Sequence, residues 1–464
     1  MIINKYFAKR QKTYPQNVRG KFRSIKNLIS LSCLVIFLLA PFIRWYRGSI
    51  STDQAILIDI PHSRGYFFFV EMWPEETYYL ATILIFAAVA LFFITSLFGR
   101  IWCGYSCPQT IWTDLFVKVE RFFQGERNDR IKLDRKIFSF QNIWRKFATH
   151  FVWILISLIT GIGFVNYFND APTIIKNLFE FNLGWSVGGW ILGIASATYI
   201  MAGFAREQVC NFMCPYSRFQ SAMFDKDTLI VSYDQQRGEK RGKHKQGDSF
   251  ENRGHCIDCK QCVVVCPQNI DIRNGLQMEC IACGLCIDAC DNVMQKIGLP
   301  RGLIKYDTEN NLTNKSRFKI IRPKTLYYGL ILLIVGGFIV VNLLVKNPLK
   351  IDILPDRNPI FVILKNGDIR NGYTIKISNK TFENKSYNLK IVGINDARIK
   401  LDGVNNISVS NLPVLAGEVA SFKFYITVNN KNLDNSKNSK KINFILTDNQ
   451  SGNRIEVSSI FISN

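Results

Sequence analysis

The chain has 464 residues, 48% of them hydrophobic, 35 phenylalanines and a formal net charge of +22. That length leaves room for about three domains, and the apolar content excludes a small soluble redox module as the whole molecule. The charge suits nucleic acid or an anionic membrane surface. Because the basic residues concentrate beside apolar runs, the expected partner is the lipid bilayer, with no nucleic acid.

A basic segment, 1–27, carries eight Lys/Arg and no acid. Five stretches then have the ~20 apolar residues that a bilayer crossing takes: roughly 28–47, 79–98, 147–168, 184–205 and 326–345. The first lacks the short core and small-residue cleavage site of a signal peptide, so it reads as an uncleaved helix in which Cys33 packs. The fourth contains Gly184, Gly188, Gly189, Gly193 and Gly203, small residues of the kind used in close helix packing. Lys/Arg counts alternate along the flanks. Segment 48–78 has one, Arg64, against Asp53, Asp59, Glu71, Glu75 and Glu76; segment 99–146 has ten; segment 169–183 has one, Lys176. The positive-inside rule places the N-terminus, 99–146 and 206–325 in the cytoplasm and 346–464 outside.

Just past the second span lies Cys103-Gly104-Tyr105-Ser106-Cys107-Pro108, and just past the fourth lies Cys210-Asn211-Phe212-Met213-Cys214-Pro215. Both are Cys-x3-Cys-Pro, and both follow the same end of a helix, which suggests a duplicated helix-pair unit. The repeat is imperfect, because Arg100 precedes Cys103 by three residues and Arg206 precedes Cys210 by four. Proline keeps the preceding cysteine out of helical geometry. If the second and fourth helices pack together, the four thiols converge. Three readings stand: a thiolate site for a soft metal such as Cu(I), with Met213 offering a thioether; a redox-active dithiol; or ligands of another cluster. The plain alternative is cysteines packed as small hydrophobes.

Residues 216–255 read as a solvated loop, with a basic run from Arg237 to Lys245 that contains Gly238, Gly242 and His244 and is followed by Gly247. His62 and His150 have no second ligand nearby. His255 adjoins Cys256 and is expected at the surface. From 256 to 290, eight of the thirteen cysteines fall in 35 residues. Cys256, Cys259, Cys262 and Cys266, followed by Pro267, and then Cys280, Cys283, Cys286 and Cys290, give C-x2-C-x2-C-x3-C twice. This is the spacing of bacterial ferredoxins with two [4Fe–4S] clusters, in which the fourth cysteine of each run serves the other cluster. Cys256, Cys259, Cys262 and Cys290 are thus expected around one cluster and Cys280, Cys283, Cys286 and Cys266 around the other. Zinc sites space their pairs further apart, and a cytoplasmic location disfavours disulfides.

From Asp352 the pattern becomes alternating, near 360–364, 370–378, 386–392, 398–401, 419–428, 441–448 and 454–462. About seven short strands without cysteine predict an immunoglobulin-like sandwich with a docking role. The expected architecture is a multi-domain membrane protein: a five-helix transmembrane α bundle, an inserted two-[4Fe–4S] bacterial-ferredoxin-like α+β domain and a C-terminal Ig-like β-sandwich. Its segments are 1–27, 28–215, 216–325 with the ferredoxin at about 250–300, 326–345 and 346–464.

Several strings resemble the cytochrome c oxidase accessory proteins of the FixG/CcoG type: Cys103 to Thr110, Cys214 to Ser221, Asp227 to Val231, Gly275 to Ile281 and Cys286 to Asp291. The resemblance runs along nearly the whole chain. It implies a bacterial inner-membrane protein in the biogenesis of cbb-type oxidases, acting as a cupric reductase. It also implies that Cys103, Cys107, Cys210 and Cys214 form a copper site supplied with electrons by the eight clustered cysteines. Partners would be a cytosolic electron donor and copper chaperones or oxidase subunits. The chain has no nicotinamide or flavin fingerprint, so the donor is external. A quinone-linked electron-transfer module and a non-enzymatic assembly scaffold are the competing readings.

Overall fold

The computed structural model describes residues 12–47, 52–136, 139–243, 250, 253–315, 318–345, 349–381, 383–394, 396–402, 409–429 and 439–463. His244 and Lys245 of the basic run and the Gly247 that follows it lie outside them, as do Lys5, Lys9 and Arg10 of the basic N-terminal segment. The chain divides into two units, Met1–Ile43 with Gln54–Val340, and Arg44–Asp53 with Val341–Asn464.

The first unit begins with α1 (Lys21–Leu39), followed by a small antiparallel sheet of β1 (Ile56–Asp59), β2 (Arg64–Phe67) and β3 (Val70–Met72). Then come α2 (Thr77–Phe98), α3 (Ile101–Tyr105), α4 (Pro108–Gln124), α5 (Arg127–Arg135), α6 (Phe140–Val165), α7 (Ala171–Phe179) and α8 (Trp185–Thr198). α8 continues as π-helical turns over Tyr199–Ala205, and a second π-helical segment spans Val209–Met213 before α9 (Pro215–Met223). Strand β4 (Ile230–Tyr233), the short α10 (Gln235–Gly238) and α11 (Gln261–Val264), α12 (Leu285–Lys296), strand β5 (Ile304–Asp307), α13 (Glu309–Asn314) and α14 (Pro323–Leu344) complete it.

Five helices are long and apolar enough to cross a membrane: Lys21–Phe42, Thr77–Phe98, Phe140–Val165, Trp185–Ala205 and Pro323–Leu344. Their outward faces carry apolar side chains such as Leu84, Ile85, Leu333 and Ile334, which lipid accommodates without a hydration cost. The first helix starts seven residues earlier than hydropathy alone suggests. Asp288 on α12 is the reason: its carboxylate accepts from the Phe22 N–H at 3.2 Å and the Arg23 N–H at 2.7 Å. These are two of the orphan donors of a helix start. Of the five glycines in the fourth span, Gly184, Gly188, Gly189 and Gly193 face open space and only Gly203 makes a close approach, to the Trp153 ring. The tight crossing of α6 and α8 rests instead on Gly161, where a methyl group would collide with the Ile191 carbonyl.

β4 and β5 pair antiparallel and close the ferredoxin segment from both sides. It therefore extends beyond the expected 250–300. Its core joins Val231, Ile272, Ile287, Met294, Leu303 and Ile304.

In the second unit, β10 (Arg398–Leu401), β12 (Glu418–Val428), β8 (Ile369–Asn379) and β6 (Leu349–Pro355) form one antiparallel sheet, with β7 (Val362–Ile363) also on β8. β11 (Leu412–Val414), β9 (Lys385–Val392), β13 (Ser439–Asp448) and β14 (Arg454–Ile462) form the other. Alternate residues Tyr373, Ile375 and Ile377 on β8, Phe424 and Ile426 on β12, and Ile442, Phe444 and Leu446 on β13 make one core, the inward period of two that a sandwich requires. β6 and β11 were not among the expected strands. β6 follows the last span so closely that its Leu349-Lys350-Ile351 alternation merges with it, and β11 is three residues long.

Candidate functional site: two cysteine cradles and a four-thiol seam

The two Cys-x2-Cys-x2-Cys loops share one backbone pattern. Asp258 and Lys260 have φ of 52° and 56°, and the corresponding Ala282 and Gly284 have φ of 50° and 72°. Left-handed non-glycine residues are strained and persist where the surroundings over-determine them. Here they turn the chain at each cysteine interval. Arg273 holds one of them, binding Asp258 Oδ1 at 2.5 Å and Asp271 Oδ2 at 2.6 Å.

Each loop closes a cavity. The first is lined by Cys256, Cys259, Cys262 and Cys290, with Tyr233 and Met294. The second is lined by Cys266, Cys280, Cys283 and Cys286, with Val231, Ile272 and also Cys262. The crossed quartets expected from the spacing are thus the ones brought together, because α12 carries Cys286 toward its own loop and Cys290, a turn later, toward the other. Two apolar-walled cradles, each holding one quartet and with Cys262 lining both, fit an iron–sulfur cube. Burial pushes the Cys262 and Cys280 thiols up to about 11 and the Cys266 and Cys290 thiols up to about 12. Metal ligation needs thiolates, so loading these cradles releases protons. Cys259 is exposed, whereas Cys256, Cys262 and Cys283 are buried.

The Cys-x3-Cys-Pro pairs occupy equivalent positions in a structural repeat. One 107-residue offset carries Gly99 onto Arg206, Cys103 onto Cys210, Cys107 onto Cys214 and Thr110 onto Ser217. Gly99 (φ 58°, ψ −133°) and Arg206 (φ 43°, ψ −113°) make the same left-handed break after the span. The repeat is therefore in register, and the uneven arginine offsets arise because Arg206 matches Gly99 rather than Arg100. Cys107 N–H donates to the Trp102 carbonyl at 2.9 Å and Cys214 N–H to the Val209 carbonyl at 2.8 Å. Thr110 Oγ1 donates to the Cys103 carbonyl at 2.6 Å, and Ser217 Oγ to the Cys210 carbonyl at 2.5 Å. Both second cysteines are extended (φ −63°, ψ 127° and φ −81°, ψ 110°) with proline opening the next helix, as the sequence predicts.

The two pairs lie near enough for their thiols to act on one another electrostatically. Burial pushes Cys103 up to about 11, opposed by Arg100 and reinforced by Cys107 and Cys214. Burial pushes Cys210 up to about 12, reinforced by Cys107, Cys103 and Cys214. Cys103 Sγ donates to Gln220 Oε1 at 3.3 Å, which also accepts from Arg100 Nε at 3.0 Å. Gln220 is fully buried on α9. Sequence reading passed over it; a glutamine six residues past Cys214 would have been recognisable only with α9 assigned as a helix. Gln109 spans the two halves, donating to the Met201 carbonyl at 2.9 Å and the Arg206 carbonyl at 3.2 Å.

This seam abuts the second cradle. A Cβ on Gly104 would lie 2.6 Å from the Ile281 carbonyl oxygen and 3.0 Å from Cys283 Cα. Tyr105 Oη donates to the Cys283 carbonyl at 3.1 Å, and Tyr306 Oη to the Ala282 carbonyl at 2.6 Å. The remaining candidates lie apart. His255 Nδ1 accepts from Arg237 Nε at 2.9 Å and Met213 is exposed. His62 pairs with Asp59 at 2.8 Å and His150 with Tyr199 at 2.9 Å. Cys33 lies on α1, half-buried.

Comparison with known proteins agrees with this layout. Residues 80–126 match a 4Fe-4S binding domain, 205–309 a 4Fe-4S dicluster domain, and 339–464 the IG-like fold at the C-terminal of FixG. The nitrogen fixation protein FixG of Rhizobium meliloti (strain 1021) is 41% identical over 431 residues, 86% of this chain and 82% of that protein. Protein RdxA of Cereibacter sphaeroides is 40% identical over 429 residues, 91% of this chain and 90% of that protein. The ferredoxin-type protein NapH of Haemophilus influenzae is 23% identical over 288 residues, 58% of this chain and 87% of that protein. The crystal structure of a FixG-related protein from Vibrio parahaemolyticus aligns at 30% identity over 25% of this chain and 98% of that chain, with a TM-score of 0.22. With two [4Fe–4S] clusters, apolar spans and the Ig-like tail, the chain belongs to the FixG family of ferredoxin-type membrane electron-transfer proteins.

Proposed function

We propose that this protein reduces Cu(II) to Cu(I) during assembly of a cbb-type oxidase. One observation carries the reading: the backbone of Cys103-Gly104 touches the Ile281–Cys283 segment of the second cradle, so electrons have a direct exit toward the four-thiol seam. Cys256, Cys259, Cys262 and Cys290 would hold one cluster and Cys266, Cys280, Cys283 and Cys286 the other; when bound, these supply one-electron carriers. The chain sets the direction. The exposure of Cys259 supports electron entry from an external cytosolic donor on that side. Buried Cys283 and Tyr105 face the seam. Thiolate surroundings favour Cu(I) over Cu(II), and one electron converts each Cu(II) to one Cu(I), which copper chaperones or oxidase subunits then take. Alternation of Lys/Arg across the short flanks supports the inner membrane, with the cradles cytoplasmic and the Ig-like unit periplasmic.

The test uses the full-length protein, reduced and then mixed with Cu(II) in the presence of a Cu(I)-specific chelator. The cluster absorption bleached by reduction should recover as chelated Cu(I) appears, one per electron. Reoxidation by a quinone but not by Cu(II) would sink the copper reading. Gly104→Leu should slow this step at least about tenfold while iron content stays intact. The added side chain must push α3 off the Ile281 carbonyl, an overpacking that costs about 1–3 kcal/mol. A stopped-flow trace unchanged in the variant would show that electrons leave elsewhere.

A further inference from the structure

The domain match over 80–126 contains only two cysteines, Cys103 and Cys107, and the match over 205–309 contains ten. A four-iron cluster takes four cysteines. The first match is therefore two short, and the second holds two more than its two clusters need, Cys210 and Cys214. The fold brings the deficit and the surplus together, in a seam whose halves repeat backbone turn, hydrogen bonds and proline. We propose that Cys103, Cys107, Cys210 and Cys214 hold a third [4Fe–4S] cluster, through which electrons leave the second cradle. This rests on the electron-transfer reading above and changes one part of it: copper meets a cluster at the seam instead of the four bare thiols.

Two features support a cluster over a single ion. Two equivalent ligand pairs related by a repeat suit a cube, whose opposite edges are equivalent. Cationic Arg100, buried at 3% exposure and anchored by the Gln220 side chain and the Met278 carbonyl, stands beside Cys103. It offsets the negative charge that four thiolates bring to a cluster. Twelve of the thirteen cysteines then have a ligand role, and Cys33 is left on its helix.

The experiment is iron and acid-labile sulfide analysis of the full-length protein purified anaerobically, with electron paramagnetic resonance of the reduced form. About 12 iron per chain and three interacting signals are expected from three four-iron clusters. Cys103→Ser/Cys214→Ser, one change in each half, should lower iron to about 8 and leave the two ferredoxin signals; Cys33→Ser should change nothing. About 8 iron in the unaltered protein, or about 10 as a two-iron cluster would give, overturns the proposal without any variant. So does stoichiometric copper that the double variant loses while its iron is unchanged. About 12 iron without Cu(II) reduction would keep the third cluster and remove the copper reading; about 8 iron with Cu(II) reduction would do the reverse.

Discussion

Cys290→Ser is expected to strip about four iron atoms from the cradle of Cys256, Cys259 and Cys262 while the cradle of Cys280, Cys283 and Cys286 stays loaded. Cys290 is separated from Cys256 by 34 positions but lines the same cavity. Cys262, Cys259 and Cys256 are the thiols that act on it electrostatically, after burial itself. Cys266→Ser should give the mirror result, because Cys266 lines the cavity of the later run. Redox titration with electron paramagnetic resonance distinguishes the two losses. If Cys290→Ser instead removed the signal that Cys286→Ser removes, the ligation would run within each sequence repeat and the crossed assignment would fall. Serine keeps the size of cysteine, so the helix α12 that carries both residues should remain folded.

Glu120→Gln should destabilise the membrane unit by about 3–5 kcal/mol, the cost of leaving buried cations without their partner. Glu120 is 1% exposed. Its carboxylate binds Arg130 at 3.2 Å, Arg206 at 3.1 Å and Lys12 at 3.3 Å. Arg130 is itself fully buried and donates to the Pro15 carbonyl at 2.7 Å. Arg206 carries the left-handed break before Cys210 and lies 5.5 Å from the Trp153 ring. Glutamine preserves shape and one acceptor but removes the charge. Burial by itself would raise the Glu120 carboxyl, yet Arg206, Lys12 and Arg130 outweigh it and hold it below the usual range. A depressed carboxyl stabilises above its unfolded value, about 4.3, and loses that contribution as pH falls through the folded one. Between pH 5 and 8 the parent should thus keep a level thermal midpoint and the variant a lower one. An equal midpoint for the two would show that solvent screens the network. Because Arg206 leads into Cys210, the variant should also lose the metal proposed for the four-thiol seam before it loses the ferredoxin clusters.

Much of the protein was legible in the chain because its signals are local or periodic. Spans follow from runs of apolar residues, and the cluster type follows from intervals of two and three between cysteines. The strands at 398–401 and 454–462 were given to the residue by alternation. Even the crossed quartets follow from spacing, since a loop of this length holds three corners of a cube and must find the fourth elsewhere.

Other features depended on contacts between distant segments. The start of α1 was set by Asp288, 266 residues from Phe22, a cap that no local pattern announces. The register of the thiol repeat was hidden because Arg206 occupies the place of Gly99, and a buried ion pair with Glu120 accompanies that strained backbone. Bringing the two cysteine pairs together needed Gln220 on α9 to bond Cys103 and Arg100, and Gln109 on α4 to bond the Arg206 carbonyl. The pairs were readable as motifs, but whether they formed one site was not. Sequence determined which ligands the chain owns, since side-chain chemistry and spacing are local. Tertiary structure decided which ligands share a site and that Gly104 sets one site against the next, because proximity across the chain is a property of packing.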